Sequence, residues 1–161
     1  MDQTWVRIFG AGLVATLLIA GFVLFLKRGD RLAPQGSVLK ERSIDLNENA
    51  ALLLLDIRVI NDSDVVMTVN HIKMVVETAD GQLTGHTLGK SDLGATFGYF
   101  PLLGEKFNPA LASDDEIPPR SKVDRMIAAS FDALLAIVDA RKSVTVTIDD
   151  RTGATAEFHG K

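Results

Sequence analysis

Apolar and polar residues alternate along most of the chain beyond residue 36, and this period of two predicts β-strands. Residues 51–61 and 143–149 show the alternation most clearly. In the first of these runs four apolar side chains share one face: Leu53, Leu55, Ile57 and Val59. The other predicted strands cover residues 37–46, 65–69, 71–78, 82–88, 122–131 and 154–158. Seven or eight short strands separated by turns predict an all-β fold, an antiparallel immunoglobulin-like β-sandwich.

Two short motifs predict turns. Asp80-Gly81 lies between two predicted strands, which indicates a hairpin with a type I′ turn and positive φ at both central residues. Asn61-Asp62-Ser63 follows the strand 51–61, and such side chains favour a turn by bonding to the nearby backbone. The same three residues match a glycosylation sequon, which matters only in a eukaryotic secretory pathway. We expect a bacterial source, where they serve as a turn.

Two segments depart from the strand pattern. Residues 132–142 predict one short helix, with Asp132 as its N-cap. Residues 89–120 lose the period and predict a long irregular loop. Within it, Ser91-Asp92 favour a short helical turn as far as Phe97, which Gly94 and Gly98 weaken. Loops this long are uncommon in compact domains and are often functional or packed on themselves.

The amino-terminal part has a different pattern. Residues 8–26 are uncharged and almost entirely apolar, and a helix of that length spans roughly 28 Å, close to the hydrocarbon thickness of a bilayer. Trp5 and Lys27-Arg28 flank the run, as interfacial residues do, and no pair of small residues suited to signal-peptide cleavage follows it. The sequence therefore predicts a tail (1–7), an uncleaved single-pass signal anchor (8–28), a linker (29–36) and a β-sandwich domain (37–161).

The expected location is the cell (inner) membrane, with the sandwich on its periplasmic or extracytoplasmic side, as in the common arrangement of a short inside tail and an exported domain. The basic residues favour the opposite orientation. Arg7 is alone before the span, whereas Lys27, Arg28 and Arg31 follow it, and the positive-inside rule would then place the domain in the cytoplasm. Both orientations stay open at this point.

Small residues recur four apart within the predicted anchor, at Gly12, Thr16 and Ala20. This spacing lets two helices approach closely, so the three residues are a candidate helix-packing face. They would support a homo-oligomer within the bilayer.

Charge and composition limit the chemistry. The chain has 17 Lys and Arg against 21 Asp and Glu, a net charge of −4, which opposes a nucleic-acid partner. It has no cysteine, which removes disulfides and thiol chemistry. The three histidines, His71, His86 and His159, show no metal-ligand spacing. No nucleophile elbow, P-loop or dinucleotide motif is present, so we expect no catalytic residue, no metal and no cofactor.

The weaker alternative is a metal-dependent hydrolase that uses His86 and the acidic residues 114–116. These adjacent carboxylates would also suit Ca²⁺, but they lack the ligand spacing of an EF-hand loop. A solvated loop is the simpler interpretation.

Residues 97–109, "FGYFPLLGEKFNP", hold the one tyrosine and three of the eight phenylalanines; we call them the aromatic segment. Its candidate partner-binding residues are Phe97, Tyr99, Phe100 and Phe107. If exposed, they would form the kind of apolar patch that marks an interaction site. Burial of most of them is favoured, because each large apolar side chain contributes about 1.5–3 kcal/mol when buried. A mixed outcome would leave Tyr99 at the rim.

A resemblance rests on three features: a strand that ends in Asn-x-Ser (61–63), a hairpin through Asp80-Gly81, and Ile-Pro-Pro-x-Ser (117–121) leading into "KVDRMIAASF". This arrangement resembles uncharacterised bacterial single-pass membrane proteins with an immunoglobulin- or fibronectin-like sandwich. It is more distantly similar to the late-embryogenesis-abundant, water-stress type of domain, although that pattern favours Asn-Pro where this chain has Asn61-Asp62. The resemblance implies a fold and a membrane context, and no site residues.

Together these observations predict a membrane-anchored, non-catalytic β-sandwich that serves as a protein-binding or envelope-assembly module. Its expected partners are the lipid bilayer and either another protein or a second copy of the chain. The alternative is a structural spacer or accessory subunit whose specificity lies in the membrane helix.

Overall fold

The computed structural model describes residue 13, residues 16–22 and residues 34–160. It divides into an amino-terminal unit that ends at Arg31 and a second unit, Leu32–Lys161. Residues 16–22 of the first unit are helical. No helix among the described residues is long and apolar enough to cross a membrane. The predicted tail (1–7), most of the predicted anchor (8–28) and most of the linker lie outside the described residues, so the anchor stays a prediction.

The second unit contains eight strands within residues 34–160: β1 (Gln35–Asn47), β2 (Ala50–Asn61), β3 (Met67–Glu77), β4 (Gln82–Thr87), β5 (Glu116–Ile117), β6 (Ser121–Phe131), β7 (Ser143–Asp150) and β8 (Thr155–Gly160). It also contains helix α1 (Lys90–Tyr99), a 3₁₀ turn (Pro101–Leu103) and helix α2 (Leu135–Asp139). The all-β class and the number of strands are confirmed.

The named strands pair antiparallel in the order β1-β2-β6-β4-β3-β7-β8, with β5 on the end of β3. β4 joins the two halves, because it pairs with β3 over four residues and with β6 only at His86 and Thr87. The sheet curls until its first and last strands meet: a Cβ on Gly36 of β1 would collide with the ring of Phe158 on β8. Strands β1, β2 and β6 thus face β3, β7 and β8.

The inner core lies between these two layers and is made of aliphatic and aromatic side chains. One face of β2 supplies the four residues predicted from the alternation, all fully buried. Ile127 and Phe131 of the neighbouring strand β6 extend this face, and the residues opposite come from β3, β7 and β8: Met74, Val76, Val144, Val146, Ile148 and Phe158. The predicted strand, with these four side chains on one face, is confirmed.

The hairpin at Asp80-Gly81 is present, but its predicted turn type is wrong. Glu77 pairs with Gln82, and the Thr78 backbone N–H donates to the Gly81 carbonyl at 2.8 Å, so the loop holds four residues. Gly81 has a positive φ of 133°, whereas Asp80 does not have a positive φ. A longer loop needs left-handed geometry at fewer positions than a two-residue type I′ turn.

The segments 65–69 and 71–78, predicted as two strands, form the single strand β3. Its register against β7 shifts between Val69 and His71, which is the mark of a β-bulge. The extra residue explains why the buried positions Val69 and Ile72 are three apart while Ile72, Met74 and Val76 alternate. The break in the alternation came from the bulge, and no turn is present there.

The predictions for the helices are wrong in number and in bounds. α2 has five residues rather than the eleven predicted, and it begins after Leu134 without a side-chain cap, so Asp132 is not its N-cap. α1 occupies the first third of the predicted irregular loop 89–120. Its glycines, Gly94 and Gly98, face open space, so they lower helix propensity without removing any packing.

The turn at Asn61 is confirmed and has a defined structural role. The Asn61 side chain is buried, and its amide donates to the carbonyls of Val65, Ile117 and Pro118 at 2.9–3.1 Å. Its carbonyl accepts the Ser63 backbone N–H at 3.2 Å. The side chain of the sequon is therefore committed to holding two loops together.

Candidate interaction surface

β2 is buried on both of its faces, which accounts for the four consecutive leucines. Leu52 and Leu54 point away from the inner core and belong to a second hydrophobic cluster on the outer face of the β1-β2-β6 layer. We call it the outer cluster; its other buried members are Ile44, Leu93, Leu103, Ala110, Met126 and Ala128. Helix α1 and the aromatic segment supply the cover for this face.

The covering segment leaves and rejoins the sheet at one edge of β6. The Leu88 N–H donates to the Ala128 carbonyl at 2.9 Å, and the Leu111 N–H donates to the Met126 carbonyl at 2.8 Å. The Met126 N–H in turn donates to the Pro109 carbonyl at 2.9 Å. The two ends of residues 89–108 are therefore fixed two β6 residues apart, and the chain between them folds over the outer face.

A buried ion pair fastens the aromatic segment to the sheet. Arg42 of β1 and Asp56 of β2 lie 2.8 Å apart with side chains 11% and 4% exposed. The other Asp56 oxygen accepts from Asn108 at 2.8 Å. Arg42 also donates to the carbonyls of Leu103 and Glu105 at 2.7 and 2.8 Å. Two strands and the segment thus share one polar network.

Phe97 and Phe107 help to hold the segment in place. The Lys40 ammonium lies 4.4 Å from the centroid of the Phe107 ring, and the Arg42 guanidinium lies 5.1 Å from it. Arg42 is also 5.8 Å from the Phe97 ring. These distances are those of cation–π contacts. Phe97 and Phe100 are partly buried and pack against the outer cluster, whereas Phe107 stays 55% exposed.

Tyr99 and Leu102 face solvent instead. Tyr99 is 80% exposed and Leu102 is 93% exposed, although Leu103 next to it is only 1% exposed. The 3₁₀ turn (Pro101–Leu103) points Leu103 into the outer cluster and Leu102 away from it. Of the four candidate partner-binding residues, Phe97, Phe100 and Phe107 hold the segment on the sheet and Tyr99 faces solvent. Their role in binding stays a prediction.

A groove of about 430 Å³ lies beside Tyr99; we call it the aromatic groove. The aromatic segment, the end of β1 and the start of α2 form its walls. Its lining residues are Ser43, Ile44, Asp45, Tyr99, Phe100, Pro101, Leu102 and Leu135. The sequence pointed to Tyr99 and Phe100 but not to the β1 residues, Leu102 or Leu135, because no local pattern joins segments so far apart.

A second groove of about 350 Å³, the turn groove, lies between the β3–β4 turn and α2. Its lining residues are Asn49, Thr78, Asp80, Leu83, Asp132, Ala133, Leu134 and Ile137. Leu134, which is 51% exposed, lines this groove, and its neighbour Leu135 lines the aromatic groove. The start of α2 therefore separates the two grooves, and together they form what we call the end surface.

The end surface is acidic. Asp45 lines the aromatic groove, and Asp80 and Asp132 line the turn groove. No Lys, Arg or His side chain lines either groove. His86 Nε2 lies 3.9 Å from an Asp132 carboxylate oxygen, and both side chains are largely exposed. An apolar floor with carboxylates at its rim suits a ligand that carries apolar and cationic groups.

The outer face is uncovered beyond the ion pair. There Arg58 and Asp124 form a two-point contact at 2.7 and 2.8 Å between paired positions of β2 and β6. The hydrogen bonds from Arg58, with its charge, hold the pKa of Asp124 below its usual value. One face of the layer thus carries a covered apolar half and a bare charged half.

Two of the three acids of the hydrolase alternative, Asp114 and Asp115, are used in ion pairs. Asp114 pairs with Arg151, and Asp115 pairs with Lys90, while His86 contacts Asp132. The part of the chain that the structure describes holds no group of three or more His, Asp or Glu side chains placed to bind a metal ion. Thr16 and Ala20 of the helix-packing face lie in the described helical residues and are exposed, whereas Gly12 lies outside them.

No family model and no curated protein matches the sequence. Among solved structures, the archaellum periplasmic stator protein FlaG from Sulfolobus acidocaldarius is 11% identical with a TM-score of 0.35, over 80% of this chain and 100% of that one. The archaellum periplasmic stator protein complex of FlaF and FlaG from the same organism is 10% identical with a TM-score of 0.37, and the match covers 83% of this chain and 94% of that one. An uncharacterised β-sandwich protein from Clostridium difficile 630 is 10% identical with a TM-score of 0.36, and the match covers 81% of this chain and 82% of that one. At these values no residue role or partner carries over.

Proposed function

We propose that this protein is a non-catalytic β-sandwich module that binds a protein partner through its end surface. The single observation behind the proposal is the exposure of Tyr99 (80%) and Leu102 (93%) on a segment that is otherwise fastened to the sheet. Aromatic residues are enriched at the centre of protein interfaces, and adjacent exposed apolar side chains form the kind of patch that marks an interaction site. Tyrosine suits this role, since it offers a large apolar ring and a polar group at its tip.

The support under these two residues favours recognition by a preformed surface. Leu103, Phe100 and the Arg42 network anchor the backbone on both sides of Leu102. A surface that is ordered before binding loses less conformational entropy when a partner docks. A segment that served only to cover the outer cluster would gain nothing from presenting Leu102 to water.

We further propose that residues 8–28 anchor the module in a cell membrane, with the immunoglobulin-like sandwich on the extracytoplasmic side. The length and hydropathy of the run and its flanking Trp5 and Lys27-Arg28 support this part, as does the resemblance to single-pass membrane proteins. A reporter fused after Lys161 that is active only outside the cytoplasm tests the orientation. Activity of a cytoplasm-specific reporter at the same position would reverse it.

The binding proposal is tested by chemical crosslinking of the full-length chain in its own cells, followed by identification of the captured proteins. We expect Tyr99→Ala combined with Leu102→Asp to lose specific partners that the wild type captures. Val66→Asp is the matched control, because Val66 is also an exposed apolar residue and lies in the loop after β2. Circular dichroism and thermal unfolding check that both variants fold. An unchanged set of partners from the folded double variant would refute the proposal.

The spacer alternative rests on the helix-packing face. Thr16 and Ala20 are four residues apart in a helical stretch and are exposed, so they lie on one side of that helix. In this case specificity would lie in the membrane helix. Replacing residues 8–26 by an unrelated apolar span should then abolish self-association or function. If self-association and function were both fully retained, the spacer alternative would be rejected in favour of binding through the end surface.

A further inference from the structure

We infer that the partner at the end surface is a protein segment with apolar side chains flanked by Lys or Arg, which lies across the start of α2 and enters both grooves. This inference rests on the proposed binding function and adds the chemistry of the partner. Leu134 lines the turn groove and its chain neighbour Leu135 lines the aromatic groove, so the two grooves are adjacent and one segment can reach both. The aromatic groove and the turn groove hold about 430 and 350 Å³, near the low end of ligand pockets, which suits single anchoring side chains.

The apolar part of the recognition is carried by four side chains. Tyr99 and Leu102 form one wall of the aromatic groove, and Leu134 and Ile137 line the turn groove on the other side of Leu135. Leu134 has no cover, since it precedes a helix of only five residues and is half exposed. Two apolar side chains of the partner, one in each groove, would bury Leu134.

The charge of the rim selects the partner. Asp45 and Asp80 make no ion pair within residues 34–160, and both are exposed. With Asp132 they place three carboxylates around an apolar floor that no lysine or arginine lines. Complementary charges at a rim steer encounter and suppress wrong partners. This rim therefore favours cationic flanks and opposes anionic lipid and nucleic acid.

The test places a photoreactive phenylalanine analogue at position 134 of the full-length chain in its own cells. After illumination, mass spectrometry identifies the crosslinked peptides. We expect peptides from another protein in which Lys or Arg flanks apolar residues. We also expect Asp45→Lys combined with Asp132→Lys to reduce capture at least about tenfold, because like charges would then face each other. Asp45→Asn combined with Asp132→Asn should reduce it less.

The matched control is Asp62→Lys, which makes the same charge reversal at an exposed position. Asp62 follows the last residue of β2, whereas the turn groove lies at the first residues of that strand. It should leave capture unchanged. Capture of neutral or acidic peptides, of lipid or of this chain itself, no capture, or insensitivity to the Asp45 and Asp132 variants would each overturn this inference. The proposed function fails separately, if Tyr99→Ala with Leu102→Asp keeps all partners. Loss of partners in that variant without any charge effect would retain the binding function and reject the cationic partner.

Discussion

The inner core and the outer cluster lie on opposite faces of the same strand, yet they are closed in different ways. The inner core is sealed by a second layer of strands, whose backbone hydrogen bonds run along β3, β7 and β8. The outer cluster is closed by one short helix and a segment that returns to the same edge of β6. At its margin, hydrocarbon gives way to the ion pair between Arg42 and Asp56.

This difference indicates that one region of the domain stabilises the fold while another exposes side chains to solvent. The inner core supports the sheet and exposes nothing to a partner. The cover of the outer cluster rests on few contacts, so its opening should require less free energy than global unfolding. Tyr99 and Leu102 of this cover can face solvent, because other side chains of the cover, among them Leu93 and Leu103, already pack against the outer face of the sheet.

The largest effect is expected for Asp56→Ala. The change leaves the Arg42 guanidinium buried without its counter-charge and removes the acceptor of Asn108. Breaking one half of a buried ion pair costs about 3–5 kcal/mol. Urea unfolding measures this loss. Hydrogen exchange should rise first over residues 89–108, since the network fastens that segment rather than the inner core.

The control for Asp56→Ala is Asp124→Ala on the same face, where the side chains of the Arg58–Asp124 ion pair are 45% and 34% exposed. Ion pairs this accessible to water contribute little, so Asp124→Ala should lower the free energy of unfolding far less than Asp56→Ala. Arg42→Met combined with Asp56→Leu should recover part of the loss, because no charge is then left buried. If Asp124→Ala proved as costly as Asp56→Ala, burial of the ion pair would not be what holds the cover.

Leu55→Ala and Leu54→Ala compare the two regions directly. Both side chains are fully buried and are adjacent on β2, but Leu55 faces the inner core and Leu54 the outer cluster. Leu55→Ala should cost about 2–5 kcal/mol in the free energy of unfolding, because the two facing layers of the sheet cannot close on the cavity. Leu54→Ala should lie at the lower end of that range, because α1 and the aromatic segment can settle into the space.

Hydrogen exchange separates the two leucine variants by place. Leu55→Ala should raise exchange throughout the sheet, and Leu54→Ala should raise it mainly in α1 and the aromatic segment. The Leu54→Ala variant should also weaken partner capture, since Tyr99 and Leu102 ride on that cover. Equal costs together with equal exchange patterns would show that the outer cluster unfolds with the sheet as one unit.

The strands could be predicted from the sequence because alternation is local, whereas the cover depends on contacts between distant residues. The run at Leu52–Leu55 was predicted as a strand with one buried face, since a period of two carries no sign of what lies on the second face. The link between Arg42 and Asp56 joins residues on neighbouring strands, and Asn108 reaches Asp56 from 52 residues away. Helix α1 was underestimated because Gly94 and Gly98 lower propensity on a face that makes no contacts.

The end surface shows the same limit. Tyr99 and Phe100 were chosen as candidates by composition, and both line the aromatic groove. The predicted helix 132–142 includes Leu134 in its first turn, and nothing in that prediction indicates that the side chain is exposed. It stands out because α2 begins one residue later than Leu134 and ends after five. Only the folded sheet brings this residue next to the β3–β4 turn.

The smallest effect concerns a second buried carboxylate, Asp150, which forms no salt bridge within residues 34–160. Its oxygens accept the backbone N–H groups of Thr68 at 2.6 Å and Thr152 at 2.7 Å, and also the Thr152 hydroxyl. Burial opposes its ionisation, but these hydrogen bonds outweigh burial and set its pKa below the usual value. A lowered folded pKa adds stability above the unfolded pKa of about 3.9, and this stability is lost as pH falls through the folded pKa.

Asp150→Asn should therefore cost about 1–3 kcal/mol at pH 7, since a neutral amide replaces a carboxylate that accepts several N–H bonds. The difference from the wild type should shrink as the pH falls from the unfolded pKa of about 3.9 through the lower folded pKa, because the unfolded carboxyl takes up a proton first and the folded one afterwards. Urea unfolding between pH 7 and pH 3 measures this. Asp149→Asn, next to it on the other face of β7, should cost less at pH 7, because Asp149 accepts only from the exposed Thr155 hydroxyl. A difference between Asp150→Asn and wild type that stayed constant with pH would mean that the packing of Asp150, and not its charge, holds the β7–β8 turn.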